Sequence, residues 1–199
     1  MSREFLSAVE GRRSYYGISK EVSVSDERIK EVLDHAVKHT PSAFNSQSAR
    51  VVLLLGDHHD KLWDFVKEAL RKIVPADQFG ESEDKVNSFK AGYGTVLFFE
   101  DSAVIEGLQE RFALYKDNFP IWSQQSSGMH QFVVWTSLEL EGLGASLQHY
   151  SELIDEEVKK EWNLPSNWKF MAQMPFGKPV APPSEKPMLP LEVRVKVFK

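Results

Sequence analysis

The sequence predicts a chain of mixed helices and strands, folded as one domain or a compact two-layer α/β unit. Two short apolar runs, Val51–Leu55 (VVLLL) and Thr95–Phe99 (TVLFF), are typical of buried strands. The segment after Ser25 repeats apolar residues at helical spacing. A further segment, Ile121–Leu140, is apolar around most of its circumference, as expected of a helix at the centre of a domain or at a subunit interface.

The composition indicates a folded protein without thiol chemistry. The 199 residues are 42% hydrophobic and 27% charged, close to globular averages. The net charge of −5 argues against nucleic acid as the main partner. Because cysteine is absent, disulfides, thiolate catalysis, cysteine-bound iron–sulfur clusters and cysteine zinc sites are excluded. The chain shows neither a signal-peptide pattern nor a run of roughly 20 apolar residues, so we expect a cytoplasmic protein without membrane contact.

The N-terminal part is expected to form two helices separated by a basic turn. Residues 2–11 form the first helix, and Arg12-Arg13-Ser14 follow it. This triplet suits a phosphate, because arginine donates in a fixed fork and serine adds a short hydrogen bond. The alternative is a solvated basic pair, which the spacing alone favours. Ser25 is the predicted N-cap of the second helix, whose apolar stripe is Ile29, Val32, Leu33, Ala36 and Val37.

A polar loop, Pro41–Ser48 (PSAFNSQS), joins this helix to the first strand. The side chains of Asn45 and Gln47 donate and accept hydrogen bonds at once. They match the edges of a planar heterocycle such as a flavin or a base. The alternative is a plain helix-to-strand connection with an Asx turn, which the loop alone favours.

The middle of the chain is expected to continue with helices around the second strand. Residues 58–74 and 81–93 are predicted helices before that strand, and residues 100–115 form a predicted helix after it. His58 and His59 begin the first of these helices and are expected to be solvated.

The stretch Ile121–Tyr150 organises the rest of the chain. Ser126 and Ser127 offer an N-cap for its helix, and Gly142 and Gly144 supply the stop. A short predicted strand from Ala145 then brings polar groups to the surface, at Gln148, His149 and Tyr150. Polar groups at the edge of a buried helix suit a ligand site. The alternative is a core helix with an ordinary C-cap, which this stretch alone favours.

The C-terminal part is expected to hold a helix, a strand and an extended tail. The helix covers residues 153–161 and the strand Lys169–Met174. Prolines from Pro179 onward keep the tail extended. The tail ends in Leu191–Phe198 (LEVRVKVF), whose alternation of valine with charged residues predicts a half-exposed strand. This strand pairs either with its own chain or with a second copy.

Familiar catalytic and nucleotide motifs do not fit. The run from Gly142 to Leu147 lacks the third glycine of the dinucleotide fingerprint, and it follows a helix instead of a strand. There is no P-loop, G-x-S-x-G elbow, kinase signature or glycosidase-like carboxylate dyad. His35 and His39 have the spacing of helical metal ligands, but no third ligand is evident and no metal site is expected. The chemistry is therefore expected to come from a cofactor that the protein positions.

Separated segments together resemble the FMN-dependent nitroreductases, most closely their short branch of fatty-acid-repression-mutant-like proteins. Arg12-Arg13-Ser14 resembles the family's R-R-S element, which holds the flavin phosphate and ribityl chain. Pro41–Gln47 resembles its P-S-S-x-N-x-Q element, which reaches the flavin ring from the other subunit. Gly142–Tyr150 (GLGASLQHY) resembles the segment that lies along the ring near N5, and Lys186 resembles the lysine of the K-x-R element that returns to the phosphate.

The resemblance implies an α+β fold with a mixed four- or five-stranded central sheet flanked by helices. It implies an intertwined homodimer of single-domain subunits (residues 1–199) with C-terminal strand exchange, the 121–141 helix in the dimer core and two FMN molecules at the interface. No side chain is required as a catalytic acid or base. The implied cofactor-binding residues are Arg12, Arg13, Ser14, Tyr16, Pro41, Ser42, Ala43, Asn45, Gln47, Gln148, His149, Tyr150 and Lys186.

The chain departs from the family pattern at several positions. Tyr16 stands in place of a basic residue, Ala43 in place of the second serine, and Met188 in place of the K-x-R arginine. The tryptophan that often follows the P-S-S-x-N-x-Q element is also missing. Fewer positive charges near the phosphate are expected to affect FMN affinity and not the fold. Lys90 and Lys178 are the candidates to compensate.

The resemblance implies an enzyme with flavin-borne chemistry. We expect an FMN-dependent oxidoreductase in which NADH or NADPH passes hydride to flavin N5, after which a nitroaromatic or quinone takes the electrons in a ping-pong scheme. One alternative is a flavin-bound redox or lipid-response regulator with little turnover. Another is a dimer that has lost its flavin through the changes at Tyr16 and Met188. The physiological acceptor and the choice between NADH and NADPH do not follow from the sequence.

Overall fold

A computed structural model describes residues 5–199, and within this range seven α-helices surround an open antiparallel sheet. The predicted α+β fold is confirmed. The helices are α1 (Phe5–Gly11), α2 (Asp26–His39), α3 (Asp57–Ile73), α4 (Phe79–Lys90), α5 (Ser102–Arg111), α6 (Phe119–Leu140) and α7 (Ser151–Glu161). The strands are β1 (Ile18–Ser19), β2 (Ala49–Leu55), β3 (Gly94–Asp101), β4 (Gly144–Ala145) and β5 (Trp168–Pro179). Residues 2–4 of the first predicted helix lie outside the described range.

The sheet has the strand order β1-β5-β3-β2, and β4 also pairs with β5. Every ladder between the described strands is antiparallel. The parallel component of the predicted mixed sheet is limited to an isolated bridge between Ser14 and Ala145. β2 lies at one edge of the sheet, with Ala49 opposite Glu100 and Leu55 opposite Gly94.

The central strand β3 is buried on both faces. Val96 and Phe98 belong to the core formed with α2 and α6, whereas Leu97 and Phe99 belong to the core formed with α3, α4 and α7. Burial on both sides explains why this strand shows no alternation of polar and apolar residues. In β2, also predicted to be buried throughout, Leu54 alone is buried and the other residues are half-buried, because an edge strand has a neighbour on one side only.

Helix α6 begins earlier than the predicted N-cap. It starts at Phe119 with Pro120 in its first turn, where the missing proline N–H leaves no hydrogen bond unmade. Ser126 and Ser127 lie inside the helix and are buried, so their assignment as an N-cap is wrong. The predicted glycine stop is confirmed, because Gly142 adopts the left-handed conformation (φ +81°) directly after the helix.

His59 is buried, contrary to the prediction that it is solvated. The Lys90 carbonyl accepts from Nε2 at 3.1 Å, so the neutral Nδ1 accepts from the Thr95 hydroxyl at 2.8 Å. Burial, the largest effect, lowers the pKa of His59 to about 4. A neutral imidazole therefore joins α3 to β3, while His58 remains exposed as predicted.

Several predicted boundaries change. The first two residues of the predicted helix at 100–115 belong to β3, and its middle part is α5. Its last residues form a 3₁₀ turn, Ala113–Tyr115. The predicted strand at 145–150 is reduced to β4 and a bridge between Gln148 and Gln173. The prediction that Leu191–Phe198 is a strand is wrong for a single chain. Its first residues form a 3₁₀ turn, Leu191–Val193, and the rest pairs with no described strand. In the described part of the chain, no helix has the length and apolar character needed to cross a membrane.

Candidate functional site

The segment Arg12–Tyr16, called here the basic segment, lies beside the turn that follows α6. This turn, Gly142–Ala145, is called here the glycine-rich turn. The Tyr15 N–H donates to the Ala145 carbonyl at 2.9 Å. Gly144 is required by this close approach, because a Cβ at that position would lie 2.8 Å from the Tyr15 Cβ. Two of the segments singled out in the sequence are thus in direct contact.

Two guanidinium groups mark the basic segment. Arg12 stacks over the Trp135 ring, 4.4 Å from its centroid, and Arg13 donates to the carbonyl of Ser184 in the C-terminal tail. Burial, and then the charge of Arg13, lower the pKa of Arg12. The Arg12 Nε is buried and makes no hydrogen bond with a described residue. Adjacent cationic donors, one of them unsatisfied, fit a phosphate.

The tail brings Lys186 to the same side of the molecule. Lys186 is exposed and lies two residues after Ser184, which Arg13 holds. Of the two lysines predicted as compensating charges, Lys90 is already paired with Asp64 at 2.6 Å. The other, Lys178, is exposed and lies opposite Ser19 in the ladder of β1 and β5. Its role as a compensating charge stays a prediction.

Most hydrogen-bond donors of Gln148–Tyr150, the segment after the glycine-rich turn, are engaged within the chain and are not free for a ligand. The Gln148 N–H donates to the Gln173 carbonyl at 2.7 Å, and the Tyr150 N–H donates to the Gln173 side-chain oxygen at 2.8 Å. The Gln148 side chain is buried and donates to Ser146. Among the described residues, none accepts a hydrogen bond from the His149 N–H, which leaves this group for a ligand.

Tyr16 and Tyr150 both lie next to the Phe89 ring. Their ring centroids are 6.2 and 6.5 Å from that of Phe89. Burial, followed by the proximity of Tyr16, raises the pKa of Tyr150. Tyr16, the last residue of the basic segment, is exposed. Where the family pattern has a basic side chain, this chain therefore presents an aromatic ring.

The loop Pro41–Ser48, called here the amide loop, holds its backbone in an uncommon conformation. Phe44, Asn45 and Gln47 have φ values of 56°, 51° and 48°, in the left-handed region that residues other than glycine rarely adopt. Ser42 accepts from the Gln47 N–H at 3.0 Å, and Arg50 donates to the Gln47 carbonyl at 2.8 Å. The side chains of Asn45 and Gln47 are exposed and available to a ligand.

The remaining predicted positions of this loop serve its shape. Ser42 and Ala43 are half-buried, Pro41 is exposed, and Ala43 opens the 3₁₀ turn. The hydroxyl of Ser42 is engaged inside the loop, so its predicted role as a cofactor contact stays a prediction.

The amide loop and the basic segment lie at opposite ends of the sheet in one chain. The loop leads into Ala49, which pairs with Glu100 near the end of β3. The basic segment leads into Ile18, which pairs with Pro179, beyond the pairing of Gly94 with Phe176. The eight residues of β3 between these ends span about 23 Å at roughly 3.3 Å per residue. One chain therefore does not bring the two groups of predicted site residues together.

An aromatic cluster beside the amide loop was not recognised in the sequence. The Phe44 ring is half exposed, and its centroid lies 4.9 to 6.0 Å from those of four other rings, Phe112, Tyr115, Phe119 and Trp122. The density of aromatic residues between 112 and 122 was the available signal. Such a cluster offers flat apolar faces to a planar ligand.

Comparisons with known proteins agree with this geometry. The nitroreductase family model matches residues 9–178. Two Saccharomyces cerevisiae proteins are similar over almost their full lengths: HBN1 is 35% identical, covering 96% of each chain, and the nitroreductase FRM2 is 34% identical, covering 92% of this chain and 91% of FRM2.

The same similarity is seen among solved structures. The nitroreductase CinD of Lactococcus lactis in complex with chloramphenicol superposes with a TM-score of 0.91 at 46% identity, covering 98% of this chain and all of CinD. CinD was also solved with 4-nitrophenol. A Desulfovibrio desulfuricans protein in complex with FMN shares the fold, with a TM-score of 0.69 at 20% identity over both full chains.

Proposed function

The chain belongs to the nitroreductase family, and we propose that it is an FMN-dependent oxidoreductase that uses NADH or NADPH to reduce small nitroaromatics or quinones. The observation that carries the proposal is the pair Arg12 and Arg13. The Arg12 guanidinium stacks on Trp135, whose indole donates to Ala145 of the glycine-rich turn, and the buried Arg12 Nε is unsatisfied. The Arg13 guanidinium donates to the Ser184 carbonyl of the tail. A flavin supplies the redox chemistry by accepting hydride and releasing electrons to a second substrate in a ping-pong cycle.

Each group of site residues has a role in this proposal. Arg12, Arg13 and Lys186 neutralise the cofactor phosphate, with Ser14 beside them. The backbone N–H of His149, in the same chain, would donate a hydrogen bond to the flavin ring. Tyr16 and Tyr150 would pack against the cofactor. No side chain has to act as an acid or base, because water supplies the protons.

The remaining ring contacts come from a second copy of the chain. The amide loop lies at the far end of the sheet from the basic segment, so we place the Asn45 and Gln47 of a partner beside the flavin. Two further features support a homodimer with strand exchange. Strand β2 lies at the edge of the sheet. The tail exposes the side chains of Val193, Val195 and Val197, at 59 to 72% of their surface. An unpaired edge and a tail that alternates valine with charged residues would be complementary if the tail extended as a strand along that edge.

The aromatic cluster supports a planar acceptor. Phe44 lies next to Asn45, so in the proposed dimer its exposed ring borders the flavin site. CinD, solved with chloramphenicol and with 4-nitrophenol, binds nitroaromatic compounds. We infer that this chain accepts acceptors of the same chemical class.

The proposal is tested by a visible absorption spectrum of the purified protein, followed by anaerobic addition of NADH and NADPH. Bands at roughly 370 and 450 nm that bleach with a reduced nicotinamide are expected, as for any oxidised flavoprotein. Retained flavin that does not bleach would favour a regulator with little turnover. A colourless protein that stays apo after addition of FMN would contradict the proposal and leave the fold without the activity.

A further inference from the structure

A buried carboxyl, that of Glu100, lies behind the amide loop and has no part in the proposed chemistry. Glu100 is 3% exposed, near the end of the central strand β3. Burial raises its pKa, and hydrogen bonds from Ser48 and Ser123 oppose this effect. Because a buried carboxyl is costly without partners, the groups that bind it indicate what it holds.

One oxygen of this carboxyl joins three parts of the fold. Ser48 donates to Oε2 at 2.5 Å, and Ser123 donates to the same oxygen at 2.9 Å. Both serines are buried, at 1% and 7% exposure. Ser48 ends the amide loop and Ser123 lies on the second turn of α6, so Glu100 links the loop, the helix and the sheet at a single atom.

The amide loop depends on such anchors. Asn45 and Gln47 hold left-handed backbone conformations, which persist only where the surrounding structure fixes them. The Ser42 hydroxyl accepts from the Gln47 N–H, and the Arg50 side chain donates to the Gln47 carbonyl, so both backbone polar groups of Gln47 are held. Glu100 fixes the next residue along the chain, through the Ser48 side chain.

We propose that Glu100 is a positioning residue for the flavin ring. By holding Ser48 against β3 and α6, it keeps the Asn45 and Gln47 amides oriented toward a cofactor bound at the subunit interface. This inference rests on the proposed function of the site.

Glu100 binds Ser48 and Ser123 through an acceptor oxygen and forms no ion pair with a described residue. Among the described residues, none gives a hydrogen bond to Oε1 of Glu100, which is buried. The basic side chains around it are Arg50 on β2, His130 on α6 and Lys169 on β5, and none lies within salt-bridge distance of the carboxyl. A glutamine retains the acceptor oxygen at this position, whereas a leucine removes it.

The experiment compares Glu100→Gln and Glu100→Leu in the full-length protein. Leu138→Ala is the control for lost stability, because Leu138 is fully buried at the other end of α6. Amide hydrogen exchange of a peptide covering residues 43–48 is measured first without added flavin. The FMN dissociation constant and the flavin reduction potential are then measured on the same proteins.

The leucine variant is expected to speed exchange of this peptide and to weaken FMN binding, each by about tenfold, as for loss of a buried hydrogen bond. The glutamine variant and Leu138→Ala should stay within about threefold of the wild type, and the glutamine variant should keep the wild-type reduction potential. If Glu100→Leu does not fold, Ser123→Ala should give a smaller increase in exchange of the same peptide.

Exchange in Glu100→Leu at the wild-type rate would overturn the inference, whatever the flavin result. A glutamine variant that behaves like the leucine variant would show that charge, and not the acceptor oxygen, holds the loop, and would also overturn it. A wild-type protein that binds no FMN would instead refute the proposed function, while the exchange rates would still decide whether Glu100 holds the loop.

Discussion

The guanidinium carbon of Arg12 lies 4.4 Å from the centre of the Trp135 ring, and the indole N–H of Trp135 donates to the Ala145 carbonyl at 3.2 Å. The same carbonyl accepts from the Tyr15 N–H. One side chain of α6 therefore supports both the cationic group of the basic segment and the glycine-rich turn beside it. This arrangement fixes the position of Arg12 by contacts within the chain.

Removing this support should weaken FMN binding. A cation–π contact contributes about 0.5 to 2 kcal/mol, so Trp135→Leu is expected to raise the FMN dissociation constant about 2- to 30-fold. Trp135→Phe keeps an aromatic face under Arg12 and should have the smaller effect. Fluorescence titration of the apo protein with FMN measures both constants. Equal affinity for the leucine variant and the wild type would show that the stack does not position Arg12.

The two arginines should discriminate FMN from riboflavin, which lacks the phosphate. Hydrogen bonds to charged groups contribute about 1.5 to 3 kcal/mol, so Arg12→Ala or Arg13→Ala should weaken FMN binding about 12- to 150-fold. Riboflavin affinity should change little. Arg71→Ala is the matched control, because Arg71 is an exposed arginine on α3 that pairs with Glu68 and Glu83. A parallel loss of riboflavin affinity would mean that the arginines support the fold and not the phosphate.

Helical periodicity in the sequence located α2, and an unbroken apolar run located β3, because the first element is buried on one face and the second on both. It could not reveal that His59 is buried, since a polar pair at a helix start is normally solvated and the burial depends on Thr95, distant in the chain. The same holds for the candidate site. Its segments are recognisable one by one, but their separation follows from sheet register, and the partners of Glu100 are set by packing. The alternation of valine with charged residues in the tail is visible in the sequence. The strand with which the tail pairs would belong to a second chain, which the sequence pattern does not describe.

The tail should control assembly. Changing Val193, Val195 and Val197 together to aspartate removes the apolar face, and each valine that the proposed dimer buries contributes about 1.5 kcal/mol. We expect the wild type to sediment at twice the chain mass of 22.8 kDa and the variant to sediment at that mass. The matched control changes the alternate residues Glu192, Arg194 and Lys196 to serine, which should leave the dimer intact. A triple aspartate variant that stays dimeric would rule out strand exchange through the tail.

Phe44 should affect the acceptor more than the flavin. An aromatic pair contributes about 0.5 to 1.5 kcal/mol, so Phe44→Ala should raise the KM for 4-nitrophenol about 2- to 12-fold. FMN affinity should stay within about twofold, because the backbone of the loop is held by Ser42 and Arg50. Steady-state kinetics with Leu114→Ala as control, an exposed neighbour of the cluster, isolates the effect. An unchanged KM would separate the aromatic cluster from acceptor binding.

His59 should make the fold less stable at acid pH. The unfolded chain binds a proton at His59 below its ordinary pKa of 6.5, whereas the buried ring does so only below about 4. Stability should therefore fall as the pH drops from 6.5 to 4, by about 3 kcal/mol at 1.36 kcal/mol per pKa unit. His59→Gln removes this titration, so its free energy of unfolding should depend less on pH over the same range. Urea unfolding at several pH values measures the difference, with the exposed His58→Gln as control. Because carboxyl groups also titrate in this range, the slope relative to wild type is decisive. Parallel slopes for the wild type and His59→Gln would show that His59 takes up its proton equally well in both states.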